Sequence, residues 1–238
     1  MDGFSYSNIF ETKGIEYLAI LAFFAILIPF WIILNKQAKG RKIVQRLIGT
    51  ITPGNLRIPQ GLFFSRNHTW THLERSGIAK IGLDDLLIHI TGEVKVINHA
   101  KPGENIKKGD LLAEIEHNGK LLSILSPVSG EIQTTNTMLA GQPQMLHEDP
   151  FRKGWIYQIK PSDWKSETKA YYLAGEATHW MSKELVRFKD FVMASAGKNS
   201  LTTGIILQDG GELRENTLSE LPDELWKEFQ KDFLNCTD

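Results

Sequence analysis

A run of 18 apolar or aromatic residues, from Tyr17 to Leu34 (YLAILAFFAILIPFWIIL), constrains this chain more than any other feature of its sequence. As a helix the run would rise about 27 Å, close to the roughly 30 Å of a bilayer's hydrocarbon core. A cleaved signal peptide would begin with a basic stretch, whereas acidic residues precede this run and Lys36 follows it. The sequence therefore predicts one retained transmembrane helix over residues 17–35, after an extracytoplasmic N-terminus of residues 1–16.

Basic residues are concentrated on one side of this predicted helix. Only Lys13 precedes it, whereas five basic residues follow it closely: Lys36, Lys39, Arg41, Lys42 and Arg46. The positive-inside rule then predicts a single-pass protein of the inner membrane whose soluble part is cytoplasmic. Residues 36–60 contain no acid. They are expected to form a basic linker against anionic headgroups, worth about 1 kcal/mol per basic residue, unless these residues only fix the topology.

The central part of the chain has the pattern of a β-rich domain. Between residues 61 and 164, short segments rich in Val, Ile, Phe and Trp alternate with turns containing Gly, Pro and Asn. This pattern predicts an all-β sandwich or barrel. The predicted strands are Phe63 to Ser65, Thr69 to Arg75, Ile78 to Gly82, Glu93 to Ile97, Leu111 to His117, Lys120 to Leu125, Gly130 to Thr134 and Trp155 to Ile159, with a short helix over Leu83 to Ile90.

The last part of the chain, residues 165–238, is expected to be a helical, acidic C-terminal extension. Apolar residues recur at helical spacing from Ala174 to Ala196 and again from Ser219 to Leu234. Between these helices, residues 205–213 contain a turn sequence that predicts a small hairpin. The aromatic residues of both helices are expected to pack onto the β-domain or onto each other, or alternatively to form a groove for a partner.

Composition and motifs exclude several classes of function. The single cysteine, Cys236, cannot form an intramolecular disulfide or a cysteine-rich metal site. His68 and His72 would share a strand face without a third ligand, so no metal site is expected. The net charge of −1 gives no reason to expect nucleic-acid binding. No phosphate-binding loop or nucleophile motif is present, and the chain is therefore expected not to be an enzyme.

Seven sequence blocks in one order resemble the H protein of the glycine cleavage system. They are His68-x-Trp70, Ala79 to Leu83, Gly92 to Val94, Ile106 to Asp110, Ser126 to Ile132, His147 to Phe151 and Gly154 to Asp163. The resemblance implies a lipoyl-type fold, a flattened β-barrel or hybrid sandwich in which a hairpin displays a lysine that becomes lipoylated. With the flanking segments, it implies a mainly β domain preceded by one transmembrane helix and followed by amphipathic helices.

The chain departs from the family pattern at the residues that carry its chemistry. Counting back from Ser126, the family's lysine position is occupied by Gly119, and Lys120 is one place late. Asn118-Gly119 is a two-residue turn signal, and a shift of one residue redirects a strand side chain to the opposite face. The sequence therefore predicts a plain turn with Lys120 solvated beside it. Thr69 also stands where the family has a glutamate that is implied in handling the lipoyl arm.

These observations predict a membrane-anchored, H-protein-like domain that acts as a non-catalytic accessory or docking subunit without a cofactor. Its partners would be the membrane and one or more proteins, such as subunits of a membrane-bound redox complex. The alternative is a carrier lipoylated at Lys120, which would shuttle an intermediate in glycine cleavage or in such a complex.

Overall fold

The computed structural model describes residues 17–31, 49–198 and 213–235 and separates the chain into two compact units, Met1–Ile48 and Gly49–Asp238. In the first unit, residues 17–31 form a helix, α1, whose side chains are exposed. Among the described residues, no helix is both long enough and apolar enough to cross a membrane. The last part of the predicted span, residues 32–35, lies outside the described residues. So do residues 1–16 and the predicted membrane-surface residues Lys36, Lys39, Arg41, Lys42 and Arg46.

The second unit is built on a six-stranded antiparallel sheet. Its strands are β2 (Phe63–Phe64), β3 (Thr69–Leu73), β4 (Ala79–Leu83), β6 (Asn105–Ile106), β9 (Gly130–Thr135) and β10 (Trp155–Pro161). They are ordered β2-β3-β4-β10-β9-β6. Trp70 pairs with Gly82 across β3 and β4 and is fully buried. A Cβ atom at Gly82 would lie 2.6 Å from the Trp70 ring, so only glycine leaves room for this indole.

A second sheet of three strands carries the hairpin of interest. It contains β5 (Lys95–Asn98), β7 (Leu111–His117) and β8 (Lys120–Leu125) in the order β5-β7-β8, which leaves β8 at one edge. Leu122 and Ile124 of β8 point into the core, together with Leu112 and Ile115 of β7. Neither of the two large sheets closes on itself. Of the expected flattened β-barrel or hybrid sandwich, the closed barrel is therefore corrected: the sheets are open around one core, because no hydrogen bonds join their edge strands in the part of the chain that the structure describes.

The residues predicted as the end of the basic linker belong to the folded unit. β1 (Thr50–Ile51) pairs with β11 (Leu213–Arg214) from the far end of the chain. Ile51 is 5% exposed, and Arg57 donates to the buried carboxylate of Asp85. The linker prediction for residues 49–60 is thus wrong, because β pairing and burial hold them in place. The hairpin predicted over residues 205–213 lies outside the described residues except for Leu213, which pairs with Ile51.

The helices of the second unit pack on the sheets. They are α2 (Asp85–Thr91), α3 (Met138–Gly141), α4 (Met145–Glu148), α5 (Trp164–Glu167), α6 (Ala174–Lys198) and α7 (Asp223–Phe229), with a 3₁₀ turn at Thr217–Glu220 and a π-helical turn at Gln230–Leu234. The aromatic residues predicted to pack these helices do so: Phe229 and Phe233 stack at 4.7 Å, and Phe188 meets both rings edge-on. Residues 213–235 are called the C-terminal segment below.

Candidate functional site

The turn between β7 and β8 forms the tip of the hairpin that the sequence singled out. His117 pairs with Lys120, which leaves Asn118 and Gly119 as a two-residue connection. Their φ angles are 50° and 82°, the left-handed values that a type I′ turn requires at both central positions. The carboxylate of Glu116 accepts a 2.7 Å hydrogen bond from the Gly119 amide and fixes the turn from below. The family's lysine position therefore lies inside a tight turn.

Lys120 is held by the C-terminal segment. Its Nζ atom donates to the backbone carbonyls of Ser219 at 3.2 Å and Leu221 at 2.5 Å. The same atom lies 5.7 Å from the centre of the Trp226 ring, within the range of a cation–π contact. The side chain is half-buried. The prediction that Lys120 is solvated is therefore wrong, because residues about a hundred positions later in the chain surround its ammonium group.

Trp226 is the central residue in the contact between the C-terminal segment and the hairpin tip. It is 2% exposed, its indole N–H donates to the Leu218 carbonyl at 2.7 Å, and its ring stacks on His117 at 6.4 Å. The local sequence explains why a helix forms here: Pro222 precedes the first helical turn, and the acids Asp223 and Glu224 lie where the helix dipole favours negative charge. The 3₁₀ turn and α7 thus place an aromatic ring and the carbonyls of Ser219 and Leu221 beside the hairpin tip.

The C-terminal segment continues along β8 beyond the tip. The side-chain amide of Gln230 accepts a hydrogen bond from the Ser123 amide at 2.7 Å and donates to the Ser123 carbonyl at 3.1 Å. These are the backbone groups that an edge strand leaves unpaired. One glutamine side chain therefore substitutes for a neighbouring strand and closes part of the edge.

The early strand block of the sequence lies under the same cover. His68 is 1% exposed, and its Nδ1 atom donates to Asp84 at 2.7 Å. The rings of Trp180 and Phe233 lie 5.5 Å and 6.2 Å from the imidazole. Burial alone lowers the pKa of His68, but the Asp84 carboxylate beside it raises that pKa above the ordinary value of 6.5. The imidazole thus lies beside a carboxylate and is enclosed by aromatic rings.

Thr69, at the position of the family's glutamate, is buried as well. Its hydroxyl makes a 2.7 Å hydrogen bond with the Ser65 hydroxyl. This pair is neutral and offers no carboxylate to an amine. Within residues 17–31, 49–198 and 213–235, no group of three or more His, Cys, Asp or Glu side chains is placed to hold a metal ion.

The parts of the site that sequence reasoning missed all come from the C-terminal segment. Ser219, Leu221, Trp226 and Gln230 were recognised only as members of an amphipathic stretch. The single available signal was the concentration of aromatic residues in that stretch, which indicates burial without naming the surface that is covered.

Comparisons with known proteins place the matched region on the β-domain. The family model described as Glycine cleavage H-protein matches residues 62–184, so the match ends within α6 and does not include the C-terminal segment. A "Probable glycine cleavage system H protein" of Thermococcus gammatolerans is 31% identical over 119 residues, which cover 50% of this chain and 88% of that protein. A protein of the same description from Picrophilus torridus is 33% identical over 107 residues, which cover 45% and 85%. A crystal structure of a glycine cleavage system H protein from Mycobacterium marinum aligns with a TM-score of 0.41 and 23% identity, covering 44% of this chain and 87% of that chain.

Proposed function

The chain belongs to the glycine cleavage H-protein family, and from that premise we propose that it is a non-catalytic docking subunit of a membrane-bound complex that works without a lipoyl group. The family domain supplies a rigid β surface for a protein partner. The apolar run before it supplies the attachment that keeps this surface near the membrane. The advantage of such a subunit is effective concentration, because anchoring makes the encounter with a membrane partner nearly intramolecular.

The proposal depends on one observation: the Lys120 ammonium group already has hydrogen-bond and aromatic partners within the chain. Two carbonyl acceptors, at 3.2 Å and 2.5 Å, and the Trp226 ring surround it. Lipoylation would require this amine to leave its acceptors, lose its proton and reach the active site of a ligase. Hydrogen bonds to charged groups contribute about 1.5–3 kcal/mol each, and the half-buried position of Lys120 favours the lower end of that range.

The residues that would hold and serve a lipoyl arm do not fit it. Gly119 stands at the family's lysine position, inside a turn whose backbone geometry favours glycine. The hydroxyl of Thr69 is paired with Ser65 and cannot replace the carboxylate that the family resemblance implies at that position. Each difference removes a separate requirement of the carrier chemistry, and both support a docking role.

A lipoylated carrier is the second candidate. It is favoured by the family domain and by the position of Lys120 on β8, directly beside the tip of the family hairpin. For this candidate the C-terminal segment would have to move away from Lys120 before a ligase could reach it. The two candidates therefore make opposite predictions about the mass of the native chain.

Intact-mass spectrometry of the full chain, isolated from its native host, separates these candidates. We expect the unmodified mass, and we expect lipoate–protein ligase with lipoate and ATP to leave the purified chain unmodified while it loads an H protein of Thermococcus gammatolerans in parallel. A gain of one lipoyl group that is lost in Lys120→Arg would establish the carrier and refute the docking proposal.

A Gly119→Lys variant tests the register argument. A Cβ atom at Gly119 would meet no atom within 4 Å, so the substitution strains the backbone at φ 82° by about 1–2 kcal/mol without a clash. Lipoylation of this variant, with none on the parent chain, would show that the missing lysine is the cause. If the variant folds and stays unmodified, the missing lysine is not the reason that lipoylation fails. The reason would then be the C-terminal segment over the hairpin or the ligase's recognition of the hairpin.

The anchor is part of the same proposal. It is supported by the 18 consecutive apolar residues from Tyr17 to Leu34 and by the excess of basic residues after them. We expect the full chain to stay in the membrane fraction after alkaline extraction, and its β-domain to resist protease added to spheroplasts. Ile26→Arg, which adds a charge costing about 2.5–3.5 kcal/mol at a helix centre, should release the chain, whereas Ile26→Leu should not. Cleavage of the β-domain from outside would reverse the proposed orientation.

A further inference from the structure

Two adjacent aspartates at the start of α2 each hold one buried or half-buried imidazole. Asp84, the N-cap of the helix, accepts from His68 Nδ1 at 2.7 Å, and Asp85, its first residue, lies 3.3 Å from His89 Nε2. Both aspartates are fully buried. These four residues belong to the region matched by the family model.

The second nitrogen of each imidazole faces a glutamate from the C-terminal part of the chain. His89 Nδ1 lies 3.2 Å from Glu215, which precedes the 3₁₀ turn of the C-terminal segment. His68 Nε2 lies 3.9 Å from Glu184 on α6, a distance that suits an ion pair but exceeds a hydrogen bond. Each imidazole thus stands between an aspartate at the start of α2 and a glutamate from a later part of the chain, Glu184 on α6 or Glu215 in the C-terminal segment.

This arrangement has a chemical requirement. A neutral imidazole carries one N–H, so it can donate to only one of two carboxylates, and its other nitrogen presents a lone pair to the second. Only the doubly protonated ring is attracted to both. We propose that protonated His89 is a pH-sensitive clasp that holds the C-terminal segment over Lys120 and releases it when the imidazole loses its proton, while His68 makes the corresponding contact with Glu184 of α6.

The clasp is connected directly to the groups that cover Lys120. The backbone amide of Asn216 donates to the His89 carbonyl at 2.8 Å, and the Ser219 amide donates to the Asn216 carbonyl at 3.0 Å. Ser219 is one of the two carbonyl acceptors of the Lys120 ammonium. Movement of Glu215 and its neighbours therefore displaces the Ser219 carbonyl, which accepts a hydrogen bond from the Lys120 ammonium group.

The charged groups that face each imidazole determine the direction of the response. Arg57, which pairs with Asp85, acts against protonation of His89, and Arg187 on α6 acts against protonation of His68. The His147 ring of α4 lies 6.5 Å from His89 and hydrogen-bonds to the Gly92 carbonyl. Burial lowers the pKa of both imidazoles, but the carboxylates outweigh it, and each pKa is raised above 6.5.

The sign of the pH dependence follows from these directions. A histidine whose pKa is raised by folding stabilises the closed state below pH 6.5, and this stabilisation is lost as the pH rises through the raised pKa. On the acidic side, burial raises the pKa of Asp85, but its hydrogen bonds with His89 and Arg57 lower it below 3.8. The clasp is therefore closed below pH 6.5 and opens as the pH rises through the raised pKa of the imidazole.

Amide hydrogen exchange of the full chain, read by mass spectrometry on peptides within residues 213–235, tests the clasp. From about pH 6 to about pH 9, after correction for the intrinsic exchange rate, we expect the opening of this segment to increase roughly tenfold, the effect of losing one charge-assisted hydrogen bond. In His89→Gln and in Glu215→Gln the segment should be open to a similar extent at both ends of this range. Glu215 is 45% exposed at its side chain, so its replacement leaves the core intact.

His99→Gln is the matched control, since His99 pairs with Glu114 at 2.8 Å within the β-domain. It should keep the wild-type response. The proposal would be overturned if the corrected exchange of the C-terminal segment changed with pH no more than that of the β-domain. It would also be overturned if the pH response persisted in both His89→Gln and Glu215→Gln. The inference rests on the proposed function for its consequence at Lys120, but exchange and lipoylation are measured separately, so the failure of one does not imply the failure of the other.

Discussion

Replacing Trp226 with alanine should expose Lys120 while the β-domain stays folded. The indole ring packs over the ammonium group, stacks on His117 and donates its N–H to the Leu218 carbonyl. It therefore links the lysine, the hairpin tip and the 3₁₀ turn. Without it, the segment that supplies the two carbonyl acceptors loses its main anchor on the hairpin.

The magnitude follows from the burial of this side chain. Trp226 is 2% exposed, and replacing a buried tryptophan with alanine costs about 3–5 kcal/mol. Because α7 and the π-helical turn pack on β8, the edge strand of the three-stranded sheet, most of this loss should appear as local opening of the C-terminal segment. A loss of about 3 kcal/mol raises the open population roughly a hundredfold.

The assay is the rate at which an amine-reactive acetyl ester modifies Lys120, measured by peptide mass spectrometry. Trp164→Ala is the matched control, because Trp164 is a partly buried indole that meets Phe63 edge-on at 5.2 Å on another part of the domain. We expect faster acetylation of Lys120 in Trp226→Ala and an unchanged rate in the control. Trp226→Phe keeps the ring contacts but removes the N–H donor, so it should give an intermediate rate.

Equal acetylation rates for Lys120 in the parent chain and in Trp226→Ala would falsify the reasoning. That result would mean that Lys120 is already exposed to solvent in the parent chain, or that other contacts keep the C-terminal segment closed in the variant. Circular dichroism and urea unfolding of the same samples show whether the β-domain has remained folded in each variant.

Three further substitutions test the packing and polar contacts of the folded unit. Gly82→Ala should lower the free energy of unfolding by about 1–3 kcal/mol in urea titrations, because its new methyl group would overlap the Trp70 ring; an unchanged midpoint would contradict this packing. Asp85→Asn should cost about 3 kcal/mol, the low end for a broken buried ion pair, since the side chain of Arg57 is 38% exposed; a loss below 1 kcal/mol would show that the pair is solvated. Burial raises the pKa of Tyr157 to about 12, and its single hydroxyl proton is shared between the carbonyls of Leu112 at 2.9 Å and Ala100 at 3.1 Å; Tyr157→Phe should therefore cost about 1–3 kcal/mol, and a more stable variant would refute this hydrogen bond.

The strands that frame the site were predictable because their signals are local. The predicted bounds of β7 and β8 agree with the structure at both ends, since alternating side chains and the Asn118-Gly119 turn specify the register by themselves. The second C-terminal helix was less predictable. The stretch from Ser219 to Leu234 divides into a 3₁₀ turn, α7 and a π-helical turn, and the first division falls at Pro222, which lacks the N–H that a continuous helix would need.

The arrangement of the sheets could not be read from the sequence. Alternating patterns state which side of a strand is buried, but they do not state whether the last strand pairs with the first. The sequence therefore left a barrel and a sandwich both possible, and the structure has two open sheets. For the same reason, nothing local indicated that Thr50 and Ile51 pair with Arg214 and Leu213 across most of the chain.

The sequence by itself determined the family of this protein, the glycine at the position of the expected lysine and the tight turn that surrounds it. These features depend on residues that are neighbours in the chain, so their chemistry is visible in the order of the letters. Only the tertiary structure decided the state of Lys120, because its carbonyl acceptors lie 99 and 101 residues further along. A side chain's environment depends on distance in space, and folding brings to this lysine groups that no sequence spacing connects with it.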